Sequence, residues 1–148
     1  MRAIIQRVSS ASVVYKKNII SSIKSGYLIF LGIYKNDTDD DLIYLINKTS
    51  QLRINKDIQG NMNLSIMDIK GEILVVSQFT LYANIKKGRR PSFIDAAQPN
   101  DAIKYYKKYC EELAHMGLNV VTGQFGAMMD VHLVNHGPFT IIIDSNNK

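Results

Sequence analysis

Apolar, β-branched runs of strand length recur along this chain far more often than helical periodicity does, and this imbalance restricts the fold more than any other feature. Residues 2–8, 10–16 and 27–33 are such runs, rich in Ile and Val, and each is short enough to be a strand. Gly71 opens another, Glu72 to Leu81, and Met128 to Val134 and Phe139 to Ile143 complete the set. Only two segments carry the helical period. Asp37-Thr38-Asp39-Asp40-Asp41 offers N-cap candidates and first-turn acids ahead of Leu42, Leu45 and Ile46, which predicts a helix near 39–52. Asn100-Asp101 offers a second cap, followed by Ile103, Tyr106, Cys110 and Leu113, with Gly117 ending the pattern. Helices that do not alternate regularly with strands point to an α+β domain with an antiparallel or mixed sheet, not a doubly wound one. Asp57 to Asn63 reads as a turn region, and Asn135-His136-Gly137-Pro138 as a hairpin or tight connection between the last two strand runs.

A length of 148 residues with 46% apolar residues is enough for one self-sufficient core, so residues 1–148 are expected to form a single domain. Internal repeats, linkers and low-complexity tracts are absent from the sequence. Its one cysteine, Cys110, excludes an intramolecular disulfide and a zinc site built on paired cysteines. No metal or cofactor is expected. Neither a secretion signal nor an apolar run of membrane-spanning length is visible, which suggests a cytoplasmic protein with no membrane partner.

Eighteen Lys+Arg against thirteen Asp+Glu gives a formal charge of +5, a balance that favours polyanionic partners. The distribution says more than the sum. In Lys86-Lys87-Gly88-Arg89-Arg90, next to Pro91, four of five residues are basic, which reads as an exposed loop able to meet phosphate or as a solvated turn.

Common catalytic signatures do not fit: there is no G-x-S-x-G, H-E-x-x-H, P-loop or Rossmann glycine pattern. Cys110 lies in an amphipathic pattern, where a buried structural thiol is the ordinary outcome. Asp130 and His132 share one face of a strand and with Ser77 could make a hydrolytic triad, although alternating polar residues are also the normal outer face of a half-buried strand. Ser77-Gln78-Phe79-Thr80 places two hydroxyls and an amide at the end of an apolar run, where they need partners. They either cap local backbone or line a site. In a straight strand these side chains would alternate between two faces, so a shared pocket requires a bend or the use of backbone groups. Gly137-Pro138 by itself is a turn pair.

Taken together, SQFTL at 77–81 and NHGPFT at 135–140 resemble the two signature motifs of the D-aminoacyl-tRNA deacylase family. The resemblance extends through Gln6-Arg7-Val8, Leu31-Gly32, Arg89-Arg90-Pro91-Ser92-Phe93 and Gly123-Gln124-Phe125. Phe139 departs from it, standing where the family often has a smaller β-branched residue. The resemblance implies a barrel-like subunit in a homodimer with its active sites at the interface. Ser77, Gln78, Phe79 and Thr80 would line the catalytic pocket, with Phe125 and Met129 as apolar wall. Gly137 and Pro138, joined by a cis bond, would enter the partner's pocket and screen the substrate's α-carbon.

The implied substrates are D-aminoacyl-tRNA and glycyl-tRNA, with Lys86, Lys87, Arg89 and Arg90 as RNA-binding candidates. The implied mechanism is substrate-assisted, using the terminal ribose 2′-hydroxyl and backbone amides around Phe79 and Thr80. Two other readings stand beside it: a non-catalytic RNA-binding module, and a Ser77-His132-Asp130 hydrolase of small esters.

Overall fold

The computed structural model describes residues 1–147. Strand β1 (Arg2–Tyr15) is followed by β2 (Asn18–Ile23), β3 (Gly26–Gly32), helix α1 (Asp39–Gln51) and the short strands β4 (Asn55–Lys56) and β5 (Met62–Leu64). Then come β6 (Glu72–Ser77), a 3-10 turn at Phe79–Tyr82, helix α2 (Pro99–His115), β7 (Asn119–Thr122) and β8 (Asp130–Asp144). Six of the strands form one sheet in the order β2-β1-β3-β6-β7, with β8 paired to β1. The pairs β3–β6 and β6–β7 are parallel and those of β1 with β2, β3 and β8 antiparallel. Contacts of β2 with β6 and β7 curl this mixed sheet into a nearly closed barrel.

The uninterrupted apolar runs of β3 and β6 follow from burial on both faces, as parallel strands require. Tyr27, Ile29, Leu31, Ile73 and Val75 face the cluster built with the helices. Leu28, Leu74 and Val76 face a second cluster with Val8, Ala11 and Val13 of β1. In α1, Leu42, Leu45 and Ile46 are buried. Thr38 caps the helix, its amide and hydroxyl donating to the Asp41 carboxylate at 2.9 and 2.8 Å.

Several boundaries differ from the sequence reading. Residues 2–8 and 10–16 are parts of one strand, β1. The runs at 128–134 and 139–143 are likewise not a hairpin: β8 continues through Asn135–Pro138 and follows β1 antiparallel on both sides of it. Strand β6 stops at Ser77 instead of running to Leu81. The cap of α2 is Gln98, with Pro99 in the first turn, instead of Asn100-Asp101; proline is favoured there because its missing N–H has no helical partner anyway. Strands β2 and β7 carry too little apolar alternation to stand out, since much of each is exposed.

Gly26 sits where β3 begins its pairing with β6, and a Cβ there would lie 1.8 Å from the Glu72 carbonyl oxygen. That neighbour is main chain and cannot swing aside. Gly26→Ala is therefore expected to destabilise the protein by about 3 kcal/mol or more, read as a lower urea midpoint at unchanged slope.

Candidate active site

The signature at 135–140 owes its shape to a mismatch in register. Gln6 pairs with Thr140 and Val8 with Asn135, so the single residue Arg7 of β1 faces four residues of β8, His136 to Phe139. The surplus must leave the ladder as a bulge. Asn135 closes its base, accepting from the Phe139 amide at 2.7 Å and donating to the Thr140 hydroxyl at 3.0 Å. Arg7 fills it from below. Its guanidinium is nearly buried, donates to the His136 carbonyl at 3.0 Å and to the Ile54 carbonyl, and lies 4.9 Å from the Phe139 ring centroid. Phe139, the departure from the motif, thus supplies the aromatic face that a smaller residue lacks. The Gly137–Pro138 bond is cis and Gly137 has φ +140. Both residues, with His136, are exposed.

A separate cavity of about 730 Å³ opens at the end of β6, lined by Ser77, Gln78, Phe79, Phe125 and Met129 among others. Its size falls in the range of about 300–1,000 Å³ usual for small-molecule sites. The chain bends here. The Gln78 amide makes a last ladder bond to the Leu31 carbonyl at 2.8 Å, after which the 3-10 turn begins. This bend lets Ser77, Gln78 and Phe79 border one cavity, which a straight strand forbids. Thr80 is not part of the cavity lining, but its hydroxyl accepts from the Gln78 side-chain amide. The main-chain N–H groups of Phe79 and Thr80, first in the 3-10 turn, donate to no acceptor among the described residues.

The apolar wall is braced from behind. Tyr106 donates to the Val75 carbonyl at 2.8 Å and packs its ring 5.5 Å from that of Phe125. Burial holds its hydroxyl protonated well above the usual range. The Gln124 amide lies 3.1 Å from the Met129 sulfur. Phe79 meets Phe93 edge-on with centroids 4.9 Å apart, forming an aromatic rim. Phe93 and Arg7 lie in stretches that resemble the family, but neither carries a local signal of its role beyond its residue type, because both act through neighbours distant in sequence.

Gly137 and Pro138 do not line this cavity; they border another groove of the same chain. The triad is not assembled either. Val131 lines the cavity, so the alternation of β8 turns Asp130 and His132 to the opposite, exposed face, away from Ser77. Cys110 is buried in the helix-side core, and burial pushes its thiol up to about 12. The basic loop is held at its stem by paired bonds between Asn84 and Ser92, 2.7 and 2.9 Å. Lys86, Lys87, Arg89 and Arg90 are exposed beyond that stem, with Phe93 joining the loop to the cavity rim.

The cavity thus joins an apolar wall to a chain end at which the Phe79 and Thr80 amides are left without acceptors among the described residues, an arrangement suited to holding a small ligand. The sequence comparison is more specific. The chain belongs to the D-Tyr-tRNA(Tyr) deacylase family, whose model matches residues 4–144. It is 54% identical over 145 residues to a D-aminoacyl-tRNA deacylase of Aquifex aeolicus, covering 98% of each chain. It is 51% identical over 146 residues to that of Thermotoga petrophila, covering 99% of this chain and 98% of the relative. Among solved structures, the c-Myc DNA Unwinding Element Binding Protein superposes with a TM-score of 0.91 at 38% identity, over 97% of this chain and 98% of that one. A structure described as a "probable eukaryotic D-amino acid tRNA deacylase" shares the fold, with a TM-score of 0.84 at 15% identity over 96% and 97% of the two chains. Among the described residues no helix is long and apolar enough to cross a membrane.

Two outcomes are expected from this placement. His132→Ala should leave esterase activity within about twofold of wild type, since an exposed residue facing away from the pocket supplies no base; near-total loss would restore the triad. Iodoacetamide at pH 8 is expected to leave Cys110 unlabelled in the native protein and to label it in urea, as followed by mass spectrometry.

Proposed function

We propose that the chain, acting as one domain over residues 1–148, hydrolyses the ester joining a D-amino acid, or glycine, to the 3′ end of tRNA. The products are free amino acid and tRNA, and the reaction proofreads chirality in the cytoplasm. The observation that carries this reading is the separation of its two motifs. Ser77 to Phe79 border a cavity in which Gly137 and Pro138 have no part, while the braced Gly137-Pro138 segment is offered outward on β8. Each half is completed by a second copy. Val134 and Ile142, on the outer face of β8, are 57% and 65% exposed, and this long strand pairs on one side only, with β1. Such an edge is a ready surface for a two-fold partner.

In the completed site an aminoacyl ester is already activated, so holding it in place and stabilising its tetrahedral oxyanion supply much of the rate. The main-chain N–H groups of Phe79 and Thr80 hold the oxyanion. Water adds to the ester carbonyl carbon while the terminal ribose 2′-hydroxyl relays its proton. The bond from that carbon to the ribose 3′-oxygen breaks, and the oxygen leaves protonated. Ser77 and Gln78 position the adenosine end, Thr80 orients Gln78, and Phe125 and Met129 provide the apolar wall. The partner's Gly137 and Pro138 carbonyls face the position an L side chain must occupy, so an L substrate is excluded by main chain that cannot yield. Glycine has nothing to exclude and is admitted. Lys86, Lys87, Arg89 and Arg90 meet tRNA phosphates beside the pocket mouth.

A second reading, a nucleic-acid-binding module without catalysis, draws on the same basic loop and on the DNA-binding name of the 38% identical structure. The assay that separates them compares D-tyrosyl-, L-tyrosyl- and glycyl-tRNA. The deacylase reading expects release of D-tyrosine and glycine with L-tyrosyl-tRNA spared; binding without release supports the module.

A Cβ at Gly137 would lie 2.8 Å from the Arg7 guanidinium at a φ of +140, so alanine displaces the loop from its brace. Gly137→Ala is expected to lower kcat/KM for D-tyrosyl-tRNA about 100-fold, the usual result of a misplacement near 1 Å. Light scattering is expected to show a dimer, and an active monomer would overturn the cross-subunit site.

A further inference from the structure

The Gly137-Pro138 segment lies along a groove of about 990 Å³, larger than the cavity at the end of β6. Three lysines from separate parts of the chain converge on it: Lys24 after β2, Lys56 in β4, and Lys70 in the turn before β6. All three are exposed. Four side-chain cations are ion-paired among the described residues, in Lys35–Asp95, Lys104–Asp101, Lys108–Asp39 and Arg2–Asp144. Lys24, Lys56 and Lys70 have no ion pair among the described residues. The groove's one carboxylate, Glu72, accepts from the Lys24 main-chain amide at 2.5 Å and from the Asn119 side chain at 2.9 Å, so neutral donors occupy it. Lys70 has φ +49, a conformation that glycine or asparagine would adopt at less cost. A cation stands in that turn nonetheless.

Unpaired lysines arranged around a trough too open for a small anion fit a chain of phosphates, and the trough is adjacent to the segment that serves the second subunit's pocket. We propose that this groove is a second RNA subsite, in which Lys24, Lys56 and Lys70 hold acceptor-arm phosphates of the tRNA whose 3′ end occupies the partner subunit's pocket. The proposal rests on the cross-subunit reading of Gly137-Pro138. It makes tRNA recognition a two-subunit act: the loop at Lys86 to Arg90 grips from the subunit that holds the ester, and the groove grips from the other. Phosphate contacts of this kind carry no sequence information, so they raise affinity alike for every tRNA body.

The test is the triple variant Lys24→Gln, Lys56→Gln, Lys70→Gln, assayed on D-tyrosyl-tRNA and on D-tyrosyl-adenosine, an ester without the acceptor arm. For the tRNA substrate KM is expected to rise about 10-fold with kcat near wild type. The slope of log kcat/KM against log salt should become shallower by about two to three, close to one for each phosphate no longer neutralised. D-tyrosyl-adenosine should be cleaved as by wild type. An unchanged KM and salt slope on tRNA, or an equal loss on both substrates, overturns the subsite. Mixed dimers locate it. With Gly137→Ala in one subunit, the remaining active site uses the other subunit's Gly137-Pro138. The lysine changes should raise KM when placed in that other subunit and not when placed beside Gly137→Ala. The reverse dependence overturns the trans arrangement. If Gly137→Ala silences neither site, the cross-subunit reading fails, and the tRNA-specific KM effect of the triple homodimer still decides whether the groove binds RNA.

Discussion

One residue of β1 facing four of β8 is the constraint around which the functional surface is organised. A ladder cannot absorb three extra residues, so they must leave it, and what leaves is the main chain of His136 to Phe139. The bulge is stiffened from two sides, by the Asn135 side chain across its base and by the Arg7 guanidinium inside it. Arg7 is nearly buried yet meets carbonyl oxygens and an aromatic face instead of a carboxylate. Hydrogen bonds from a charged donor are each worth about 1.5–3 kcal/mol, which offsets the cost of burying the guanidinium only while the loop keeps its shape. Folding and loop geometry are therefore coupled through one side chain.

The same economy governs the cavity. Strand β6 is buried on both faces, and its end is fixed by the ladder bond from Gln78 to Leu31. The turn that follows cannot bond its first N–H groups to a preceding helical carbonyl. Main-chain donors of Phe79 and Thr80 are thereby left without acceptors among the described residues, beside an apolar pocket. The apolar wall depends in turn on the helix: Tyr106 of α2 spans from the Val75 carbonyl to the Phe125 ring. Packing of the helix against the sheet thus reaches the site through Tyr106, and directly through Pro99 and Ala102, which line the cavity.

Electrostatics divides along the same lines. Basic residues appear on two surfaces, the loop beyond the Asn84–Ser92 stem and the groove beside Gly137-Pro138. In one chain they serve different openings. In the proposed two-fold assembly they become opposite sides of one path for a polyanion.

Residue type and spacing alone determined the α+β class, the two helices and most of the strand segments, because periodicity is a local property; the grouping of Ser77, Gln78, Phe79, Thr80, Phe125 and Met129 was implied instead by the motif letters that resemble a known family. They also named Gly137 and Pro138. What only the tertiary structure decided was where these pieces lie relative to one another. The runs at 2–8 and 10–16 merge into one strand, and the supposed hairpin at 135–138 is a bulge within another, because pairing register depends on the partner strand and not on turn letters. Asp130 and His132 were rightly placed on one face, but which face meets the pocket was settled by Val131 packing inward. Arg7 and the convergence of Lys24, Lys56 and Lys70 were invisible for the same physical reason: each takes its meaning from neighbours distant along the chain, which only the closed sheet brings within reach.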